Sequence, residues 1–147
     1  MMLHERTSRR DFLCLGAAAA AAACGGCAIL GSRKADVTAE PKQGVIRLTG
    51  AQSATLLASE GSTLVKPKGL RDKILVVHLT DNALLAVSAI CTHQGCTVNY
   101  NKDMGRIDCP CHGSQYAPDG SVIRGPAKRP LKQYEVTTEG GQVLIML

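Results

Sequence analysis

Apolar positions fall very unevenly along this 147-residue chain. From Val45 onward they come as short runs or strict alternations, each closed by turn-forming residues. The runs predict strands at Val45–Leu48, Thr63–Val65, Ile74–Leu79, Leu84–Ala89, Thr97–Tyr100, Arg106–Asp108, Ser121–Ile123, Leu131–Val136 and Val143–Met146. Asp81-Asn82, Asp103-Met104-Gly105, Pro118-Asp119-Gly120 and Glu139-Gly140-Gly141 supply turns between them. Short strands at this spacing predict an all-β domain, a small sandwich or barrel. Beyond residue 35 no segment has a convincing helical period, and Ala51–Ser59 is expected to form no more than a helical turn.

The N-terminal pattern is of another kind. Phe12 to Leu30 is an uncharged run of 19 residues, just long enough to span a bilayer as a helix. It includes seven consecutive alanines, Ala17 to Ala23, and so has no amphipathic face. Ser8-Arg9-Arg10-Asp11-Phe12-Leu13 precedes it, the pattern of a twin-arginine export signal. Residues 1–30 are therefore expected to act as signal and apolar anchor, leaving the domain on the periplasmic or outer-surface side of a membrane. Cys24 follows three alanines and precedes two glycines, as at a lipoprotein cleavage site, which would end the signal at residue 23. Ala21 stands where such sites usually carry a large aliphatic residue, and Cys27 is a poorer candidate. An uncleaved anchor and plain cleavage are the other readings; an alanine-rich run is only marginally hydrophobic for spanning. Residues 31–44 are polar, lack apolar periodicity and read as a tether, so that residues 45–147 form the folded domain.

Composition narrows the picture. Aromatic residues make up 3% of the chain and the one Phe is Phe12, so the core must be built from Val, Ile, Leu and Ala. A small aliphatic core often needs metals or disulfides as staples, and the chain has seven cysteines. The net charge of +5 is mild, and the longest basic stretch, Lys66 to Lys73, is interrupted by Pro67, Gly69 and Asp72. With so few aromatics to stack on bases, nucleic-acid binding is not expected. A solvated basic face accounts for the charge, and such a face can also steer an acidic redox partner.

The candidate chemistry lies in two motifs: Cys91-Thr92-His93-Gln94-Gly95-Cys96 and Cys109-Pro110-Cys111-His112-Gly113-Ser114. The 15 residues between His93 and Cys109 hold a predicted hairpin, which can bring the two loops to one end of the sheet. A diiron group held by two thiolates and two imidazoles carries less negative charge than one held by four thiolates. It is therefore easier to reduce, at about −150 to +300 mV. Two Cys and two His can also hold a structural zinc ion, but Cys-x-His is an unusual zinc-finger spacing.

Together these motifs resemble the Rieske family, in its disulfide-bearing branch from cytochrome bc-type complexes, over roughly Val76 to Leu131. The resemblance implies a Rieske-type fold with a two-loop cluster-binding subdomain and one [2Fe–2S] cluster. It implies Cys91 and Cys109 as ligands of one iron, His93 and His112 as ligands of the other, and a disulfide between Cys96 and Cys111. A disulfide suits an oxidising compartment, in keeping with export. Ser114 and Tyr116 match family positions that donate hydrogen bonds to cluster sulfur, which raises the potential. Gly125-Pro126-Ala127 resembles the loop covering the cluster. Among other candidates, His78 reads as a strand histidine, His4 precedes the signal, and Cys14 lies in the apolar run.

The function implied is one-electron transfer outside the cytoplasm. The first reading is the iron–sulfur subunit of a quinol:cytochrome c reductase-type complex, an oxidoreductase subunit with no catalytic site beyond the cluster. Its partners would be a cytochrome b-type subunit and a c-type cytochrome, with His112 facing quinol. Bc-type proteins usually carry Leu after the first ligand His; here it is Gln94. A polar tip suits the small subunit of a periplasmic molybdenum oxidase, resembling arsenite oxidase, or a stand-alone anchored carrier. If the arginine pair directs export, changing Arg9→Lys together with Arg10→Lys strands the protein in the cytoplasm, as cell fractionation would report. Efficient export of the double variant would mean that the pair is incidental.

Overall fold

The computed structural model describes residues 36–58 and 60–147. The expected signal, anchor and first part of the tether, including Arg9, Arg10, Cys14, Cys24 and Cys27, lie outside the described residues. Among the described residues no helix is long and apolar enough to cross a membrane.

Three sheets form around one strand. β1 (Val37–Ala39), β3 (Gly61–Pro67), β4 (Ile74–His78), β5 (Leu84–Ser88) and β10 (Gln133–Tyr134) make a five-stranded sheet in the order β1-β3-β4-β5-β10. β2 (Val45–Leu48), β11 (Val136–Glu139) and β12 (Gln142–Met146) make a three-stranded sheet in the order β11-β12-β2. β6 (Asn99–Asn101), β7 (Arg106–Asp108), β8 (Gln115–Tyr116) and β9 (Val122–Arg124) form a third, antiparallel sheet. All pairings are antiparallel except β1 with β3.

Every residue of β4 is buried, because both faces of its sheet are covered. Successive strand side chains point to opposite faces. Leu64, Leu75, Val77 and Val87 accordingly pack on one face with Val98, Ile107 and Tyr116 of the third sheet. Val65, Ile74, Val76 and Ala86 pack on the other with Ile46, Leu48, Val143 and Ile145 of the small sheet. This explains why Ile74-Leu75-Val76-Val77 reads as an unbroken apolar run rather than an alternation. Burying each such side chain is worth about 1.5–3 kcal/mol. His78 is a buried strand residue, as its sequence context implied.

Three expectations need correction. The helical turn at Ala51–Ser59 is an eight-residue helix, α1 (Ala51–Ala58), whose Leu56 seats in the core beside the small sheet. So short a helix is marginal alone, and one buried leucine leaves no periodic stripe to detect. Val37–Ala39, expected in the tether, pairs with Val65–Pro67, so the folded body begins before Val45. The predicted strand Leu131–Val136 changes sheets: Gln133 and Tyr134 pair with β5, whereas Val136 begins the pairing with β12.

The turn between β8 and β9 is tightly fitted. Gly120 donates its N–H to the Ala117 carbonyl at 2.8 Å and has φ +89°. A Cβ there would lie 3.1 Å from both Leu131 Cβ and the Leu131 carbonyl oxygen, and 3.3 Å from Val87 Cγ1. Gly120→Ala adds backbone strain to this overpacking, and we expect a loss of about 1–3 kcal/mol, read as a lower midpoint in denaturant unfolding.

Candidate metal centre

The two sequence motifs form two loops with the same backbone closure. In the first, the Cys91 N–H donates to the Cys96 carbonyl at 2.8 Å and the Gly95 N–H to the Cys91 carbonyl at 2.9 Å. In the second, the Cys109 N–H donates to the Ser114 carbonyl at 2.8 Å and the Gly113 N–H to the Cys109 carbonyl at 3.1 Å. Gly95 and Gly113 have φ of 76° and 73°, the left-handed conformation that a side chain disfavours. The loops are thus two copies of one turn, each beginning on a cysteine. The first leaves β5 by way of the Ile90–Thr97 bridge, and the second joins β7 to β8.

Cys91 and Cys109 are buried and unoxidised in the core layer beneath these loops. Burial pushes both thiols up in pKa. At Cys91 it is outweighed by the Tyr116 hydroxyl, the His93 and Gln94 N–H groups and the Cys109 thiol, so Cys91 lies below the ordinary thiol value. Burial leads at Cys109 too; the N–H groups of Cys111 and His112 oppose it, but the neighbouring Cys91 adds to it, and Cys109 lies above. Two adjacent buried sulfurs cannot both hold negative charge without compensation, and a cation between them supplies it.

The histidines complete the set. The rings of His93 and His112 are 4.9 Å apart between centroids and inclined at 85°. His93 Nδ1 is buried and has no hydrogen-bond partner in the protein. An orphaned buried imidazole nitrogen beside two buried thiols fits a metal ligand, since leaving it unpaired costs about 1–3 kcal/mol. His112 is exposed.

Cys96 and Cys111 form a disulfide between the loops, with Cα atoms 6.5 Å apart and a sequence separation of 15. Closing a loop of that size is worth about 3 kcal/mol. The sulfurs of Cys96, Cys109 and Cys111 lie within 4.8 Å of one another. Two of them are joined to each other, so only Cys109 of this trio offers a thiolate.

Around the sulfurs the hydroxyl protons can be assigned. Tyr116 Oη lies 3.2 Å from Cys91 Sγ and accepts the Thr92 N–H at 3.3 Å. Thr92 Oγ1 donates its proton to the Arg129 carbonyl at 2.7 Å and sits 3.2 Å from Tyr116 Oη. That frees the Tyr116 proton for the sulfur or for Thr92 Oγ1. Ser114 Oγ, fully buried, accepts the Ala127 N–H at 3.0 Å and keeps its own proton to donate. Ala127 is buried over the loops, while Gly125 and Pro126 beside it are exposed. The structure thus gathers Cys91, His93, Cys109, His112, Ser114, Tyr116 and the Cys96–Cys111 pair at one end of the domain. Thr92 and the Arg129 carbonyl were not apparent in the sequence: one is a loop threonine with no pattern around it, the other a backbone group 37 residues away.

Comparison with known proteins places the same residues in a family. The family model described as the Rieske [2Fe-2S] domain matches residues 50–135. The cytochrome b6-f complex iron–sulfur subunit of Chlorobaculum tepidum is 47% identical over 76 residues, 52% of this chain and 41% of that protein. Iron–sulfur subunit 3 of the same complex in a Nostoc species is 41% identical over 109 residues, 74% of this chain and 52% of that protein. The chain thus spans about half or less of the length of these curated relatives. Among solved structures, the plasma-membrane Rieske protein of Synechocystis matches with a TM-score of 0.55 and 34% identity, covering 59% of this chain and 87% of that one. Because the matched segment contains both loops and the cysteines that join them, the chain belongs to the Rieske [2Fe–2S] family and is an iron–sulfur electron carrier with one [2Fe–2S] cluster.

Proposed function

We propose that the chain is the exported, membrane-anchored iron–sulfur subunit of a quinol:cytochrome c reductase-type complex. The observation that carries this reading is the asymmetry of the imidazole pair. His93 Nδ1 is buried and orphaned, whereas His112 lies exposed at the tip. Cys91 and Cys109 would hold one iron and His93 and His112 the other. The bound cluster supplies one-electron redox chemistry. If His112 holds its iron through one ring nitrogen, its exposure would leave the other to solvent, able to take the proton of a hydroquinone hydroxyl. The relatives named as subunits of cytochrome b6-f complexes support a cytochrome b-type partner and a c-type cytochrome as acceptor. Residues 31–35, ahead of the first described strand, would serve as what remains of the tether.

Ser114 and Tyr116 act as sulfur donors in this reading. The Ser114 proton is free because its oxygen already accepts from Ala127, and the Tyr116 proton is within reach of Cys91 Sγ. Donors to sulfur favour the more negative, reduced state.

A second reading rests on Gln94, which is exposed at the tip where an apolar dock onto cytochrome b needs an apolar side chain. It makes the chain the small subunit of a periplasmic molybdenum oxidase. Purification of the native complex from membranes separates the two: cytochrome b accompanies the chain in the first reading, a molybdopterin subunit in the second. A colourless protein holding one zinc ion would sink both.

Each donor is worth about 1 kcal/mol, and for one electron 59 mV corresponds to about 1.4 kcal/mol. Ser114→Ala and Tyr116→Phe should each therefore lower the reduction potential by tens of mV while the cluster still assembles. Redox titration followed by the visible spectrum measures this, and unchanged potentials would falsify the donor roles.

A further inference from the structure

Between Gly120 and Tyr134 the chain carries Arg124, Lys128, Arg129 and Lys132 and no acidic residue. All four are exposed. Lys132 lies over the Tyr134 ring, with Nζ 4.4 Å from its centroid, and shares a surface cleft with Arg129 and Asp72. Arg124 and Lys128 have no ion-pair partner among the described residues. Their positive charge therefore faces solvent uncompensated.

This basic segment is fastened to both cluster loops. Arg124 pairs with Gln115 across β8 and β9, next to Ser114 at the end of the second loop. The Ala127 N–H is bound to Ser114 Oγ, and the Arg129 carbonyl to Thr92 Oγ1 in the first loop. The loops themselves, residues 91–96 and 109–114, contain no Asp, Glu, Lys or Arg. An uncharged tip bearing His112 is thus flanked by a fixed basic collar. Beside Arg124 the edge strand β9 exposes Ile123 at 57% and Val122 at 36%, two apolar side chains adjoining the charges. Apolar contacts bordered by charge are the makeup of a transient protein interface.

We propose that Arg124, Lys128 and Arg129, with Val122 and Ile123, form a docking surface for an acidic face of a soluble one-electron redox protein. This deepens the electron-carrier reading and depends on it. A partner seated on the collar is brought beside the tip from which the electron leaves, an advantage that a lipid surface in the same place would not gain. Long-range attraction raises the encounter rate by tenfold or more at low ionic strength and fades as salt shortens the Debye length.

Native horse cytochrome c, which is basic, and its succinylated form, which is acidic, offer the same haem behind opposite charges. In stopped-flow, one electron passes from the dithionite-reduced full-length holoprotein to ferric haem. The succinylated form should be reduced about tenfold faster than the native form, with the difference collapsing in high salt. Arg124→Glu with Lys128→Glu should remove or invert the preference while the visible spectrum and potential stay unchanged. Lys42→Glu with Arg47→Glu, an equal charge change at the small sheet, should leave it. Carbodiimide cross-linking to the succinylated protein should map to Lys128. Equal rates for the two forms, or a preference that survives the collar variant, would overturn the docking surface and leave the carrier reading standing. The same holds if Arg124 and Lys128 govern only binding to phosphatidylglycerol vesicles. A charge preference in a protein that brings no cytochrome b from membranes supports the collar and removes only the quinol-linked reading.

Discussion

Two thiols buried side by side create an electrostatic problem that shapes this end of the molecule. Burial raises both, hydrogen bonds favour charge on Cys91, and that charge raises Cys109. Nothing in the aliphatic layer below can compensate them, because Leu75, Val77, Val87 and Ile107 offer no charge and no donors. Compensation has to come from a cationic group held between the loops, and the orphaned His93 Nδ1 points to the same conclusion from the opposite side. Metal binding and folding are coupled in such a site, since each makes up for what the other leaves unsatisfied.

The loops can present these groups only because the sheet beneath them is rigid. β4 is covered on both faces, so neither β3 nor β5 can shift register without moving side chains to the wrong layer. The Cys91 loop emerges just beyond β5, and the Cys109 loop emerges from a hairpin packed on that same face. The disulfide then joins the loops through Cys96, which packs against that core layer, and the exposed Cys111. Buried cysteines below and the covalent link above hold the two imidazoles in one place.

The sequence was most readable where one physical rule acted alone. β2 and β7 match the predicted runs residue for residue, because simple burial set their pattern. The candidate ligands could be singled out because Cys and His at those intervals have few other uses. What escaped notice was long-range or weakly patterned. Val37–Ala39 is too short to show alternation and is a strand only through its pairing with β3. α1 is specified by Leu56 finding a hole in the core. Gln115–Tyr116 is absent from the predicted strands because it has two residues and draws its pairing from β7 and β9. The bond from Thr92 to the Arg129 carbonyl joins groups that no local pattern connects.

That same bond bears on how the site is divided. The loops determine what chemistry the domain can hold, and they are nearly uncharged and tightly closed by their own backbone. The segment from Val122 to Lys132 is held to them by a few hydrogen bonds and carries the charge and the exposed apolar side chains. Substitutions among its outward side chains leave the sulfur and imidazole geometry untouched, because the contacts to the loops run through the Ala127 N–H and the Arg129 carbonyl, both backbone groups. Redox chemistry and partner choice thus reside in neighbouring but separable segments. Gln94 and His112 belong to both, since each lies inside a ligand loop and is exposed at the tip.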